Sequence, residues 1–328
     1  MTTVFVSGSF DDLRSRHVRL LEEASKLGDL HVLLWADEIA AAVAGTRPKF
    51  PQEERLYLLR AIRYVNQVTP VTALDAPDAL PAPVLDAAAT AAPATPAPAL
   101  KRRAEDAKGA EAPSVDTQTD AGVLWAVDEA DDTADKRAFC AARGIAYRVF
   151  TTTDLRGFPG AGGQGLGAGG LSPAVGGQQS VVGSQPSSSV LRPSSVLVTG
   201  CYDWLHSGHV RFFEEASAYG DLIVVVGNDA NVRHLKGEGH PLQTQDERRY
   251  MVGSIRYVKL ALISTGWDWL DAEPEIERLK PDIYLVNEDG DKPEKREYCA
   301  THGLQYVVLK RMPKQGLPRR SSTDLRGF

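Results

Sequence analysis

An α/β protein, with two parallel-sheet domains following one another along the chain, is predicted by three features of the sequence. The chain contains itself twice, short continuous apolar runs alternate with helix-like segments, and glycine-bearing turns follow the runs. Residues 4–68 match 196–260 at a shift of 192. Leu20-Leu21-Glu22-Glu23-Ala24-Ser25 answers Phe212-Phe213-Glu214-Glu215-Ala216-Ser217, and Gly28-Asp29-Leu30 answers Gly220-Asp221-Leu222. Ile62-Arg63-Tyr64-Val65 answers Ile255-Arg256-Tyr257-Val258 one residue further on, and both copies close on Thr-Asp-Leu-Arg-Gly-Phe, at 153–158 and 323–328.

In the second copy, Ser195–Thr199 is a β-branched run that predicts the first strand, followed by a turn and a helix with apolar Val210, Phe212 and Phe213. Leu222–Val226 reads as a buried strand, Asp246–Ile255 as a helix, and Pro281–Val286 and Tyr306–Leu309 as further strands. Apolar strands alternating with helices imply a parallel sheet covered on both faces, and such sheets take ligands beyond the carboxyl ends of their strands. The turn Gly200–His209 is therefore the predicted ligand site.

Two stretches fall outside the repeat. Residues 75–120, rich in Ala, Pro and Asp, read as a disordered insertion into a first domain spanning 1–158. Residues 159–194, rich in Gly, Ser and Gln, read as a flexible linker to a second domain, 195–328. The formal charge of −6 and pI near 5.7 argue against a general nucleic-acid or membrane-surface binder, though a local basic patch can still meet an anionic substrate. The first residues lack a basic segment followed by an apolar run, and no run approaches the ~18 apolar residues that span a bilayer, so a cytoplasmic protein is expected. Three cysteines make neither a disulfide framework nor a metal-type pairing.

Three clusters can carry chemistry. After the first strand of the second copy, Gly200-Cys201-Tyr202-Asp203-Trp204-Leu205-His206-Ser207-Gly208-His209 places two histidines three apart at a helix start, where backbone N–H groups and the helix dipole favour phosphate. Gly208 between them lets a bulky anion approach the backbone. Alone, such a pair also fits a metal site or two surface histidines, but no third ligand lies nearby. Near the end, Lys310, Arg311, Lys314, Arg319 and Arg320 precede Ser321-Ser322-Thr323, an apparent helix N-cap; hydroxyls, amides and arginine forks together can cradle phosphates. Lys236, before Gly237, is by itself an ordinary surface lysine.

Taken together, these motifs resemble the HxGH signature of the cytidylyltransferase-like nucleotidyltransferases, a group that includes glycerol-3-phosphate, phosphocholine and phosphoethanolamine cytidylyltransferases and heptose-phosphate adenylyltransferase. His206-Ser207-Gly208-His209, Lys236, the Pro241…Glu247-Arg248…Val258 helix and Arg320-Ser321-Ser322-Thr323 stand in the family's order, across nearly all of 196–328. The resemblance implies two Rossmann-like nucleotidyltransferase domains in tandem. It further implies transfer of a nucleotidyl group from an NTP to a phosphate-bearing polyol or sugar, with pyrophosphate released. On that basis His206, His209 and Lys236 would be catalytic. Gly200, Tyr202, Asp203, Gly208, Arg319, Arg320, Ser321, Ser322 and Thr323 would bind the nucleotide. Mg²⁺ is expected on the phosphates, with no protein carboxylate assignable to it; Asp203 is open between metal ligand and turn former. Lys259, where choline- and glycerol-phosphate enzymes usually carry Asp, suits a more anionic or sugar-like acceptor, and Leu279–Asn287 looks closer to the heptose-phosphate branch. CTP is favoured, with ATP open.

Carried back to the first copy, the chemistry disappears: His206 becomes Arg14, Gly208 becomes Arg16, Lys236 becomes Ala44, only His17 persists, and Phe150 runs straight into Thr151-Thr152-Thr153 without a basic loop. The first domain therefore reads as a degenerate partner, with Arg14 and Arg16 as a candidate regulatory phosphate site. The two copies are expected to pack as an internal pseudo-dimer, and homo-oligomers are possible by the family's habit. A nucleotide-binding regulator without turnover is the rival reading; the intact motif set in the second copy favours an enzyme.

Overall fold

A computed structural model describes residues 2–73, 76–82, 85, 122–159 and 194–325. The chain divides into two compact units, residues 1–157 and 158–327. In the first, β1 (Thr3–Gly8), β2 (Asp29–Trp35), β3 (Gln67–Val71), β4 (Val123–Asp128) and β5 (Ala146–Phe150) form a parallel sheet in the order β3-β2-β1-β4-β5. In the second, β6 (Ser195–Gly200), β7 (Asp221–Val226), β8 (Val258–Ile263), β9 (Ile283–Asn287) and β10 (Gln305–Leu309) repeat it as β10-β9-β6-β7-β8. Even the register repeats, Thr3 opposite Asp29 and Ser195 opposite Asp221. The strand order reverses between β6 and β9, which opens the crevice where such sheets bind ligands.

The strands form here because Val and Leu runs are buried on both sides. Val196, Leu197, Val198, Val224 and Val226 have no exposed surface, and their twins Val4 and Val32 none either. Helices Ser15–Ser25 and Ser207–Ser217 follow β1 and β6, burying Val18 and Leu21 in one unit and Val210 and Phe213 in the other. Among the described residues no helix is long and apolar enough to cross a membrane.

Three expectations need correction. The predicted helix Asp246–Ile255 spans Gln245–Gly253. The two copies keep the shift of 192 through helices Asp37–Ala44 and Asp229–Lys236, and the extra residue enters in the loop after them. The insertion does not begin at 75: residues 76–82 run along the first unit, Leu80 joins the core of Phe5, Leu33 and Trp125, and Asp78 accepts a hydrogen bond from Thr133. An Ala/Pro context hid one good apolar anchor. The remainder of 75–120, and residues 160–193 of the expected linker, lie outside the described residues.

Each unit is pinned by a buried arginine. Arg248, fully buried on helix Gln245–Gly253, donates to the carbonyls of Cys201 (2.6 Å), Gly227 (2.8 Å) and Gln243 (3.1 Å) and to Asp229 Oδ1 (2.6 Å). Arg55 does the same with Ser9, Trp35, Phe50 and Asp37. One guanidinium thus ties the loop after the first strand to the loop after the second, satisfying carbonyls that would otherwise be buried without donors.

Arg248→Ala should therefore cost about 3–5 kcal/mol in urea unfolding, the loss that follows when one partner of a buried charge network is removed. A loss below 1 kcal/mol would show that the network is not structural.

Candidate functional site

The turn after β6 is built by close contacts. Tyr202 takes a left-handed backbone (φ 53°), and its ring lies against Gly200, where a Cβ would stand 2.7 Å from it; Gly200 is there because nothing larger fits. Asp203, 3% exposed, accepts from the Leu242 N–H at 2.7 Å and the Gln243 N–H at 2.9 Å, locking the loop after helix Asp229–Lys236 onto the turn. Its twin Asp11 accepts from Lys49 and Phe50 in the same way. Asp203 is thus a turn-positioning group whose oxygens are engaged by backbone amides.

His206 is the N-cap of helix Ser207–Ser217. Its Nδ1 accepts from the Gly208 N–H at 3.1 Å, so Nε2 carries the proton when the ring is neutral. The ring is fully buried and stacks on His209, centroids 3.9 Å apart at 24°. Tyr202 meets His209 edge-on at 5.2 Å and packs on Phe213, so it braces the second imidazole from behind. Burial, followed by the neighbouring His206, Arg311 and Lys236, holds His209 well below the ordinary histidine range, so it is a neutral donor near pH 7.

Residues from the far end of the chain reach the same place. A Cβ on Gly208 would stand 3.4 Å from the Arg320 carbonyl, which accepts from Arg311 at 3.0 Å, and Lys314 pairs with Glu214 of the histidine-bearing helix at 2.7 Å. A cleft of about 360 Å³ is bordered by Gly200, Tyr202, Asp203, Gly208, His209, Lys236 and Ser322; His206, fully buried, does not border it. It is also bordered by Arg311 of the cationic cluster and by Asn287, Asp289 and Lys295, which the sequence did not single out as site residues. Beside it, sharing Gly208, Asn287 and Arg311, a second recess gathers Lys310, Lys314, Arg319 and Arg320. Ser321 caps the closing turn, its carbonyl accepting from Leu325; the side chain of Thr323 lies outside the described residues.

A profile of the cytidylyltransferase-like family matches residues 5–79 and 197–328, together more than half of the sequence. The chain belongs to this family. It is a nucleotidyltransferase-family enzyme, with both units built on the family fold. Relatives include the FAD synthase of Aciduliprofundum boonei, 36% identical over 135 residues, which are 40% of this chain and 83% of that protein. The FAD synthase of Ferroglobus placidus is 32% identical, covering 40% and 84%. The bifunctional protein HldE of Azotobacter vinelandii is 35% identical over 137 residues, 39% of this chain but only 26% of that protein.

Among the described residues no three His, Cys, Asp or Glu side chains converge as a metal site. The one carboxylate bordering the cleft besides Asp203 is Asp289, paired with Arg311 at 2.6 Å. This donor set suits a magnesium ion carried by substrate phosphates, not one caged by protein.

The first unit of this family chain has kept the frame and closed the site. Arg16, in the place of Gly208, forms a bidentate pair with Asp128 at 2.5 and 2.6 Å, where the second unit has Asn287. Arg14 pairs with Asp12 at 2.6 Å. The candidate regulatory phosphate site therefore has both of its arginines engaged internally.

Because the folded pKa of His209 lies below the unfolded value near 6.5, the unfolded chain takes up a proton first as pH falls, and stability is lost below about 6.5. Urea unfolding between pH 7 and pH 5 should show this loss, reduced in His209→Gln; identical slopes in the two proteins would contradict the assignment.

Proposed function

We propose that the second unit transfers a nucleotidyl group, with ATP the donor, to the phosphate of a small phosphate ester, releasing pyrophosphate. The observation that carries this reading is the single cleft in which His209, Lys236 and Arg311 meet Gly208 and Ser322, adjoining a recess lined by five further cations. The cleft volume falls in the range of ~300–1,000 Å³ that takes ligands of nucleotide size.

In this reading a phosphate oxygen of the acceptor attacks the α-phosphorus, the bond to the β-phosphate oxygen breaks, and pyrophosphate leaves opposite the incoming oxygen. Neutral His209 donates an N–H to the non-bridging oxygens as negative charge grows on them, and His206 supports it from beneath through ring stacking and the proton on Nε2. The Lys310–Arg320 segment holds the β- and γ-phosphates, and Ser322 with the closing turn adds donors beside Gly208. Magnesium, when it arrives with the triphosphate, neutralises charge on the leaving oxygens.

The sequence favoured CTP; the relatives move the weight to ATP, because FAD is FMN joined through its phosphate to an adenylyl group, and FAD synthases are among the relatives that this chain nearly spans. FMN, sugar phosphates and glycerol phosphate form the acceptor panel. The cytoplasm, where ATP is at hand, is the expected setting.

Incubating the full chain with each NTP, Mg²⁺ and this panel should release pyrophosphate, fastest with ATP. His209→Ala should lower kcat by 10²–10³, or roughly 3–4 kcal/mol, as when one preorganised donor is removed. A wild-type rate in that variant would remove the site assignment, and pyrophosphate from CTP alone would reverse the choice of donor.

A further inference from the structure

The two units act as each other's control at one lysine. Lys136, on helix Ala134–Arg143, and Lys295, on helix Pro293–His302, are twins: 8% and 7% exposed, each with its ammonium over the ring of an aromatic residue on the strand beside the central one, Trp125 of β4 at 5.8 Å and Tyr284 of β9 at 5.7 Å. The frames around them repeat as well. Arg137 pairs with Asp132 and Arg296 with Asp291, both at 2.5 Å, and Tyr147 and Tyr306 donate to those same carboxylates.

Only the ammonium groups differ. In the first unit Lys136 donates to the Asp131 carbonyl at 2.6 Å and stands 4.0 Å from Asp78, so its charge is satisfied within the fold. In the second unit Gly290 stands where the first has Asp131 and keeps a backbone carbonyl there, yet among the described residues the Lys295 ammonium has no hydrogen bond and no ion pair within 4.0 Å. It borders the cleft together with His209, Lys236 and Gly200. A cation at the edge of a cleft without a hydrogen-bond or ion-pair partner is available to an anion, whereas Lys136 is engaged within the fold.

We infer that Lys295 binds the phosphate of the acceptor, facing the nucleotide across the imidazole pair. This rests on the nucleotidyl-transfer reading. In-line displacement puts the attacking and leaving oxygens on opposite sides of the α-phosphorus. Lys310, Lys314, Arg319 and Arg320 gather in the recess on one side of Gly208, and that side receives the pyrophosphate. Lys236 and Lys295 border the cleft and not the recess, so they meet the incoming phosphate and lower the repulsion between two anions brought into contact. In the first unit the corresponding positions offer nothing: Lys236 is replaced by Ala44 and Lys136 is satisfied internally.

Burial, opposed by Asp271 and assisted by Lys292, holds the Lys295 ammonium below the ordinary lysine range; Asp291 and Cys299 face it as well, and it lies over the Tyr284 ring. Acceptor binding should therefore weaken as pH climbs toward the alkaline side, earlier than an ordinary lysine would require. Lys295→Arg, whose charge does not titrate, should flatten that limb.

The test compares Lys295→Met with wild type in the full chain, using the pair of substrates that gives the fastest pyrophosphate release. The KM for the acceptor should rise at least tenfold and the KM for the NTP stay within twofold. Tm should be unchanged or higher, since an apolar side chain of similar volume replaces a buried charge. Lys295→Arg should recover most of the acceptor affinity. An acceptor KM within twofold of wild type, or equal increases in both KM values, would overturn the assignment. Absence of pyrophosphate with every pair would count against the nucleotidyl-transfer reading instead. Calorimetric titration with inorganic phosphate then still reads Lys295: binding at least fivefold weaker in Lys295→Met supports the anion site, and superimposable curves overturn it.

Discussion

The chemistry of the second unit depends on where one turn sits, and that turn is held by a buried guanidinium. Arg248 reaches the carbonyls of Cys201 and Gly227 from a position 47 and 21 residues further along the chain, so the loops following β6 and β7 cannot move apart. Asp203 adds the complementary hold, accepting from the amides of Leu242 and Gln243. With the turn fixed, His206 becomes a helix N-cap, its ring is oriented by the Gly208 amide, and His209 is stacked in register above it. Preorganisation of this kind lets the neutral His209 imidazole stabilise charge without rearranging when the charge appears.

The same clamp in the first unit, made by Arg55 and Asp11, shows that the frame and the chemistry are separable. What distinguishes the units is the disposition of charge. The first has paired its cleft cations: Arg16 with Asp128, Arg14 with Asp12, Lys136 with a backbone carbonyl. The second leaves Lys295 facing an open cleft and keeps Gly208, where any side chain would collide with His206 at 2.9 Å. Internal pairing relieves the desolvation of buried cations and closes the space an anionic ligand would take; leaving a charge open forgoes that relief and keeps the space available.

Much of this was legible in the sequence. The duplication gave both sheets their strands, since β-branched runs such as Val196–Val198 and Val224–Val226 have a period and length that only a buried parallel strand satisfies. The histidine pair and the cationic tail were visible as motifs; His209 borders the cleft and the cations the adjoining recess, while His206 is fully buried beneath His209. Lys295, Asn287 and Asp289 were not visible, because their place depends on β9 lying beside β6, a contact between segments almost ninety residues apart that no local spacing encodes. Lys295 differs from Lys136 in what its ammonium meets, an open cleft in place of the Asp131 carbonyl, and no motif marks that. Leu80 was missed for the opposite reason: its surroundings are compositionally those of a spacer, while its own side chain completes a core.

The account stands on the claim that an open cleft, and not the shared frame, gives the second unit its nucleotide site. Transplanting the first unit's ion pair tests it most directly: Gly208→Arg with Asn287→Asp, followed by calorimetric titration of the full chain with ATP and Mg²⁺. The account predicts that ATP binding is lost while the unfolding transition persists. Undiminished binding in the folded double variant would contradict it.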